Sequence, residues 1–123
     1  MNLKIDLLFK KINLPEIELK NEKIGKLVRE TLPIILLEKL IPETEIKKLQ
    51  EDNYSKFTFD MNYPILKKID TKLSILENRM TKDHTRYYAE VFENGDDLYL
   101  ITSEWYERNL EDYIKWMKRK VKV

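Results

Sequence analysis

The sequence predicts a small α+β domain, mostly helical, with one antiparallel β-hairpin packed on helices and a C-terminal amphipathic helix; a winged-helix-like arrangement is among those that this order allows. Three observations carry the prediction. Apolar residues recur at helical spacing over 24–40 and again over 110–121, and Asn94-Gly95 stands between runs of aromatic, strand-forming residues. With 123 residues the chain has the size of one domain, 1–123, able to bury a modest core.

Leu3, Ile5 and Leu7 alternate before Leu8 and Phe9 break the pattern, and Pro15 confines any strand near it to an edge or to its start. Residues 1–20 therefore read as irregular, with a short strand or helical turn open to them. Asn21 is a good helix cap. After it Ile24, Leu27, Val28, Leu32, Ile35, Leu36 and Leu40 share one face, which predicts a core helix. Pro33 removes a backbone donor and crowds the preceding turn, so a kink or restart is expected near Leu32. Gly25, close to the start, permits close packing. Pro42, then Glu43 and Glu45, then Lys47 and Lys48 follow the order a helix dipole favours, predicting a second short helix that buries Ile46 and Leu49.

Asp52 and Asn53 end that helix. Ser55 then caps a short turn carrying Tyr54 and Phe57 inward, and Pro64 stops it by disfavouring α geometry at Tyr63. Residues 64–69, PILKKI, read as a third short helix with Lys67 and Lys68 exposed. Three helices with tight connections are compatible with a helix-turn-helix unit, although generic helical clusters are commoner. Over 70–85 only Leu73, Ile75, Leu76 and Met80 are there to bury, with a helix over part of the stretch and a loop at TKDHT.

A two-residue loop at Asn94-Gly95 needs positive φ at both positions, which these residues tolerate. Counting outward pairs Phe92 with Asp97, Val91 with Leu98, Glu90 with Tyr99, Ala89 with Leu100 and Tyr88 with Ile101. The aliphatic face (Ala89, Val91, Leu98, Leu100) is expected on the helices, and the aromatic face (Tyr88, Phe92, Tyr99, with Glu90 and Ile101) is expected to be half exposed. Ser103 or Asn109 caps the last helix, where Leu110, Tyr113, Ile114, Met117 and Val121 keep helical spacing beside Trp105 and Trp116.

The formal net charge of +1 argues against a strong non-specific polyanion binder, although clustering can still create a basic face. No cysteine is present, which excludes disulfides, thiol catalysis and cysteine-based zinc sites and makes a reducing cytoplasm the simplest home. Lys4, Asp6, Lys10 and Lys11 interrupt the apolar start, and nothing approaches the apolar run of about 20 residues that a membrane span needs. No membrane partner is expected.

Chemistry-bearing residues are few. His84 is the single histidine, with no serine or cysteine partner near it and no second histidine at ligand spacing, so it reads as a surface residue. The carboxylates from Glu90 to Asp112 fall in a turn or at a helix start, where the dipole alone favours them. Two glycines cannot build a phosphate loop. No catalytic, cofactor or metal site is expected, and the chain reads as no enzyme.

Two binding readings remain. In the first, DNA phosphates are held by Lys67, Lys68, Arg86 and Arg108, by Thr85, Thr102 and Ser103 at the junction of strand and helix, and by a stripe of Lys115, Lys118 and Arg119 continued by Lys120 and Lys122. The bland account of the stripe is a solvated helix end, and that of Arg86 is pairing with Glu104 or Glu107. In the second, Tyr88, Phe92, Tyr99 and Trp105 anchor a protein partner or a second copy of the chain.

Thr85-Arg86-Tyr87-Tyr88, then Leu98-Tyr99-Leu100-Ile101-Thr102, a polar junction, Arg108-Asn109 and a helix holding Tyr113-Ile114-Lys115-Trp116-Met117 together resemble the DNA-binding C-terminal domain of SeqA-type bacterial replication regulators. The resemblance covers the last third of the chain. It implies a DNA-associated regulatory domain, with Thr85 and Arg86 at positions that approach DNA and Thr102-Ser103 where the base-reading loop begins. SeqA-type loops are rich in Asn and Thr, whereas this chain has Ser103-Glu104-Trp105-Tyr106-Glu107, so recognition of a methylated adenine step is not implied.

Overall fold

A computed structural model describes residues 23–121 and has the α+β architecture that the sequence predicts. Asn21, Lys122 and the reading of residues 1–20 lie outside the described residues. Helix α1 (Ile24–Leu37) runs unbroken through Pro33. The expected restart is absent: Leu27, Val28, Leu32, Ile35 and Leu36 are buried on both sides of the proline, and this burial offsets one missing hydrogen bond. The helix ends before Leu40 because Lys39 takes a left-handed conformation (φ 54°). The amides of Lys39 and Leu40 turn back onto the carbonyls of Leu36 (3.2 Å) and Ile35 (2.9 Å), a Schellman closure.

Helix α2 (Glu43–Lys48) follows Pro42 and buries Ile46, with Leu49 buried just beyond it. Helix α3 (Asp52–Phe59) replaces the short turn expected after Ser55. Ser55 lies inside it, buried, and accepts the Ile65 amide at 3.1 Å. Phe59, one helical turn on from Ser55, points into the core, whereas Phe57 falls on the opposite side and is 92% exposed, which corrects its inward assignment.

The segment read as a third helix is strand β1 (Leu66–Lys68). Pro64 favours an extended approach, and the strand pairs antiparallel with β5 (Asp97–Ile101), Leu66 opposite Ile101 and Lys68 opposite Tyr99. A helix-turn-helix with its third helix at 64–69 is thereby excluded. Strand β4 (Phe92–Asn94) flanks β5 on its other side, giving the order β1-β5-β4. Between β1 and the hairpin, the short helix α4 (Ile75–Arg79) leads into a small ribbon of β2 (Met80–Thr81) and β3 (His84–Thr85). TKDHT is thus a second hairpin, not a loop; its turn places Lys82 at φ 59°.

The main hairpin departs from the expected register near its tip. Phe92 faces Tyr99 and Asn94 faces Asp97, so the two-residue loop is Gly95-Asp96. Only Gly95 takes a positive φ there (64°), matching turns that favour glycine at their first central position. At the base the expected register is kept: the Tyr88 amide donates to Ile101 (2.9 Å), and Tyr87 bridges Thr102. Ala89, Glu90 and Val91 therefore stand opposite Leu100 alone, a bulge that absorbs two residues. Arg29 of α1 holds the bulge, pairing with Glu90 at 2.7 Å and stacking 4.7 Å from the Tyr88 ring centre. A Cβ on Gly25 would stand 3.1 Å from the Tyr88 hydroxyl, so close packing is indeed the role of that glycine.

The two sheet faces are also exchanged relative to expectation. Tyr99 and Ile101, with Tyr88 and Phe92 beside them, pack on the helices, while Leu98 and Leu100 join Ile69 and Tyr87 in a smaller cluster. Aromatic rings remove more apolar surface from water, and they meet an aromatic core. In helix α5 (Leu110–Lys120), entered through a 3-10 turn (Glu107–Asn109), Tyr113 and Trp116 lie 5.6 Å apart, and Phe59 is 5.5 Å from Trp116. Trp105 completes the group, edge-on to Phe59 at 6.1 Å.

Candidate functional site

The polar junction expected to hold phosphate is built from Arg86, Thr102, Ser103 and Arg108. Thr102 and Ser103 end a strand and enter an extended segment, and the 3-10 turn starts only at Glu107, so no helix begins at Ser103. The Ser103 amide donates to the Arg86 carbonyl (2.8 Å), and the buried Thr102 hydroxyl donates to the same oxygen (2.8 Å). The Glu104 amide donates to that hydroxyl (3.3 Å). The Ser103 and Glu104 amides and the Thr102 hydroxyl are thus used within the fold, whereas the buried Arg86 Nε has no hydrogen-bond partner among the described residues. Asn109 is the residue that organises the helix entrance: its Oδ1 accepts the Tyr106 amide (2.7 Å), while its amide nitrogen donates to the Phe59 carbonyl (2.7 Å).

The cations assigned to DNA mostly have protein partners. Arg86 donates to Glu104 at 2.9 Å, which raises its pKa further, and its guanidinium lies 5.0 Å from the Tyr63 ring centre. Arg108 pairs with Asp60 at 3.0 Å and covers the Tyr106 ring at 4.9 Å. Lys68 pairs with Asp97 at 3.0 Å, and Lys67 donates to the Asn78 carbonyl at 2.5 Å. Thr85 lies exposed on β3, apart from this network. Lys115, Lys118 and Arg119 stay exposed on α5. At the end of the same helix Lys120 reaches Glu45 (3.6 Å), a buried carboxylate that also accepts from Tyr54 and from the Trp116 indole (2.8 Å). Burial and this carboxylate push the Tyr54 hydroxyl up to about 12.

The aromatic set assigned to a protein partner is largely committed to the interior: Tyr99 is buried, and Tyr88, Phe92 and Trp105 are partly buried against the main core. The aromatic face is thus turned to the core, with Tyr99 buried and Tyr88 and Phe92 left partly exposed. Exposed apolar side chains lie elsewhere. Leu73, Ile75 and Leu76 are 44%, 42% and 55% exposed, where burial was expected of them.

The segment that carries them, a loop through Leu73 and the start of helix α4 at Ile75 and Leu76, is tightly made. Asn78 is fully buried; its Oδ1 accepts the Asp70 amide (2.8 Å), and its nitrogen donates to the carbonyls of Asp70 (3.0 Å) and Ser74 (2.8 Å). The Asp70 carboxylate accepts the Lys72 amide at 3.0 Å, an Asx turn. Ser74 and Glu77 form a reciprocal capping box on α4. One buried amide thus ties both ends of residues 70–78 together from within, and no apolar side chain is needed to hold the loop. The serine and glutamate spaced three apart were the one signal of this in the sequence; Asn78 gave none, because its partners are backbone atoms.

A cavity of about 350 Å³ lies between α2 and the sheet, lined by Glu43, Thr44, Ile46, Lys47, Gln50, Lys68, Asp97 and Tyr99. Among the described residues no three His, Cys, Asp or Glu side chains gather to hold a metal ion, and no helix is long and apolar enough to cross a membrane. No family model, curated protein or solved structure matches the chain, and the likeness to SeqA-type domains rests on the short motifs quoted above.

Proposed function

We propose that this chain is a non-catalytic protein-interaction module whose contact surface is the loop of residues 70–78. The observation that carries this reading is the exposure of Leu73, Ile75 and Leu76 on a loop and the helix start that follows it, whose shape is fixed by the buried Asn78 amide. Neighbouring aliphatic side chains on a preformed loop bury apolar surface on contact and lose little conformational freedom in doing so. Ion pairing of Arg86, Arg108 and Lys68 within the fold, together with the net charge of +1, favours a protein partner over a polyanion. A cytoplasmic setting accords with the lack of cysteine.

DNA association through Lys115, Lys118 and Arg119 is the competing reading, supported by their exposure along α5. The test sets the two against each other. Immobilised wild type and the triple variant Leu73→Ser, Ile75→Ser, Leu76→Ser are exposed to extract of the source cells, and both are titrated with duplex DNA at low and moderate salt. A partner retained by wild type, lost from the triple variant and still retained after charge reversal of Lys115 and Arg119 is the expected result. DNA binding that weakens steeply with salt and disappears on that charge reversal would replace the module reading with the DNA reading.

A further inference from the structure

We infer that Asn94-Gly95 is a site of spontaneous amide loss, and that Glu43 guards it by holding the Asn94 side chain. This stands apart from the loop of residues 70–78. Asn94 is the one asparagine of the chain followed by glycine, whose missing side chain leaves its amide nitrogen unhindered. Gly95 is exposed at the turn, so base reaches its N–H. Asn94, by contrast, is only 7% exposed, and its amide nitrogen donates to Glu43 Oε1 at 3.3 Å. The nucleophile is open to solvent; the electrophile is restrained by a residue of another element, α2.

The chemistry needs only water. The Gly95 nitrogen gives up its proton and bonds to Asn94 Cγ. The Cγ–Nδ2 bond then breaks, and ammonia leaves with a succinimide behind. Water opens either carbonyl of the ring to give aspartate or isoaspartate. The product carboxylate would stand beside Glu43 and across the strand pair from Asp97, where like charges repel. Isoaspartate also adds a backbone methylene next to the turn, which disturbs the β4–β5 pairing. The reaction would therefore release the hairpin tip from α2 at the mouth of the cavity lined by Glu43 and Asp97.

Folded wild type, Glu43→Ala, Glu43→Gln and Leu36→Val are incubated at mildly alkaline pH beside wild type unfolded in urea, and acid at position 94 is quantified by peptide mass spectrometry with isoaspartate detection. Leu36→Val loosens the core while leaving the Asn94–Glu43 pair in place, and so controls for faster global opening. The unfolded chain should react fastest, folded wild type and Glu43→Gln slowest, and Glu43→Ala several-fold faster than wild type and faster than Leu36→Val. Reaction of folded wild type at the unfolded rate, or of Glu43→Ala no faster than wild type or Leu36→Val, overturns the guard. So does Glu43→Gln as fast as Glu43→Ala, because glutamine keeps the accepting oxygen. The consequence is read separately: Asn94→Asp should melt below Asn94→Ser, and adding Glu43→Gln should narrow that gap, the share due to Asp97 remaining. A gap that Glu43→Gln leaves unchanged overturns the charge clash with Glu43.

Discussion

The core beneath the sheet and the loop of residues 70–78 are ordered by opposite means. In the core, Phe59, Tyr113 and Trp116 stack with ring centres 5.5–6.3 Å apart, and the few polar groups there, such as Thr31 bonded to Tyr113 at 2.7 Å, complete the packing. In the loop, hydrogen bonds from one buried asparagine hold the chain while Leu73, Ile75 and Leu76 face solvent. Apolar packing uses up the side chains that produce it. Backbone-directed hydrogen bonding leaves them available, which is how a small fold stays ordered and still presents apolar side chains for contact.

Removing the largest ring separates the two regions most sharply. Trp116→Ala should cost about 3–5 kcal/mol, and it removes one of the donors to the buried Glu45 carboxylate as well. Denaturant unfolding should show a global loss, and a variant with unchanged midpoint would mean that the ring cluster is not the centre of stability. Alkaline pH acts on the buried tyrosines of this core and of the smaller cluster. Burial raises the hydroxyl pKa of Tyr113 and Tyr87, and Tyr54 is pushed up to about 12 by burial and the Glu45 contact. A tyrosine in the unfolded chain ionises near pH 10. The stabilisation is therefore complete below pH about 10 and lost as pH rises through the folded values, so the melting temperature should fall steadily from about pH 10 upward.

Asn78→Ala addresses the other side of the comparison. It should cost about 1–3 kcal/mol by leaving the Asp70 amide and two carbonyls without their partner. Hydrogen exchange should quicken over residues 70–78 while amides of α5 stay protected. If both regions quickened together, the loop would be no separate unit. The smallest effect belongs to Lys39→Gly, which relieves a left-handed backbone at the end of α1 and should raise stability by about 1 kcal/mol, read as a shift in the denaturant midpoint.

How much of this could be read beforehand followed from the range of the forces involved. Helices α1 and α5 were legible because their apolar stripes repeat within the element. Gly95 marked the hairpin, but the dipeptide could not say whether the loop was Asn94-Gly95 or Gly95-Asp96; the shift goes with the bulge at residues 89–91, where Arg29 of α1 meets Tyr88 and Glu90. Strand β1 was misread as helix because PILKKI acquires its strand character from pairing with residues 99–101, far along the chain. The pairing of Arg86 with Glu104 was among the options read from the sequence, whereas Asp60 as the partner of Arg108 was not, because a partner in another element leaves no local trace.

The position of α5 in the chain has a consequence for how the protein is made. Tyr113 reaches back 82 residues to Thr31, Trp116 reaches 71 residues to Glu45, and Asn109 reaches 50 residues to Phe59. Helices α1, α2 and α3 leave the ribosome first, but the surfaces they share are closed by a helix synthesised long after them. Until α5 emerges, the core around Leu27, Leu32 and Phe59 lacks the cover that Tyr113 and Trp116 supply, so these helices remain partly open and in need of shielding until that helix is made.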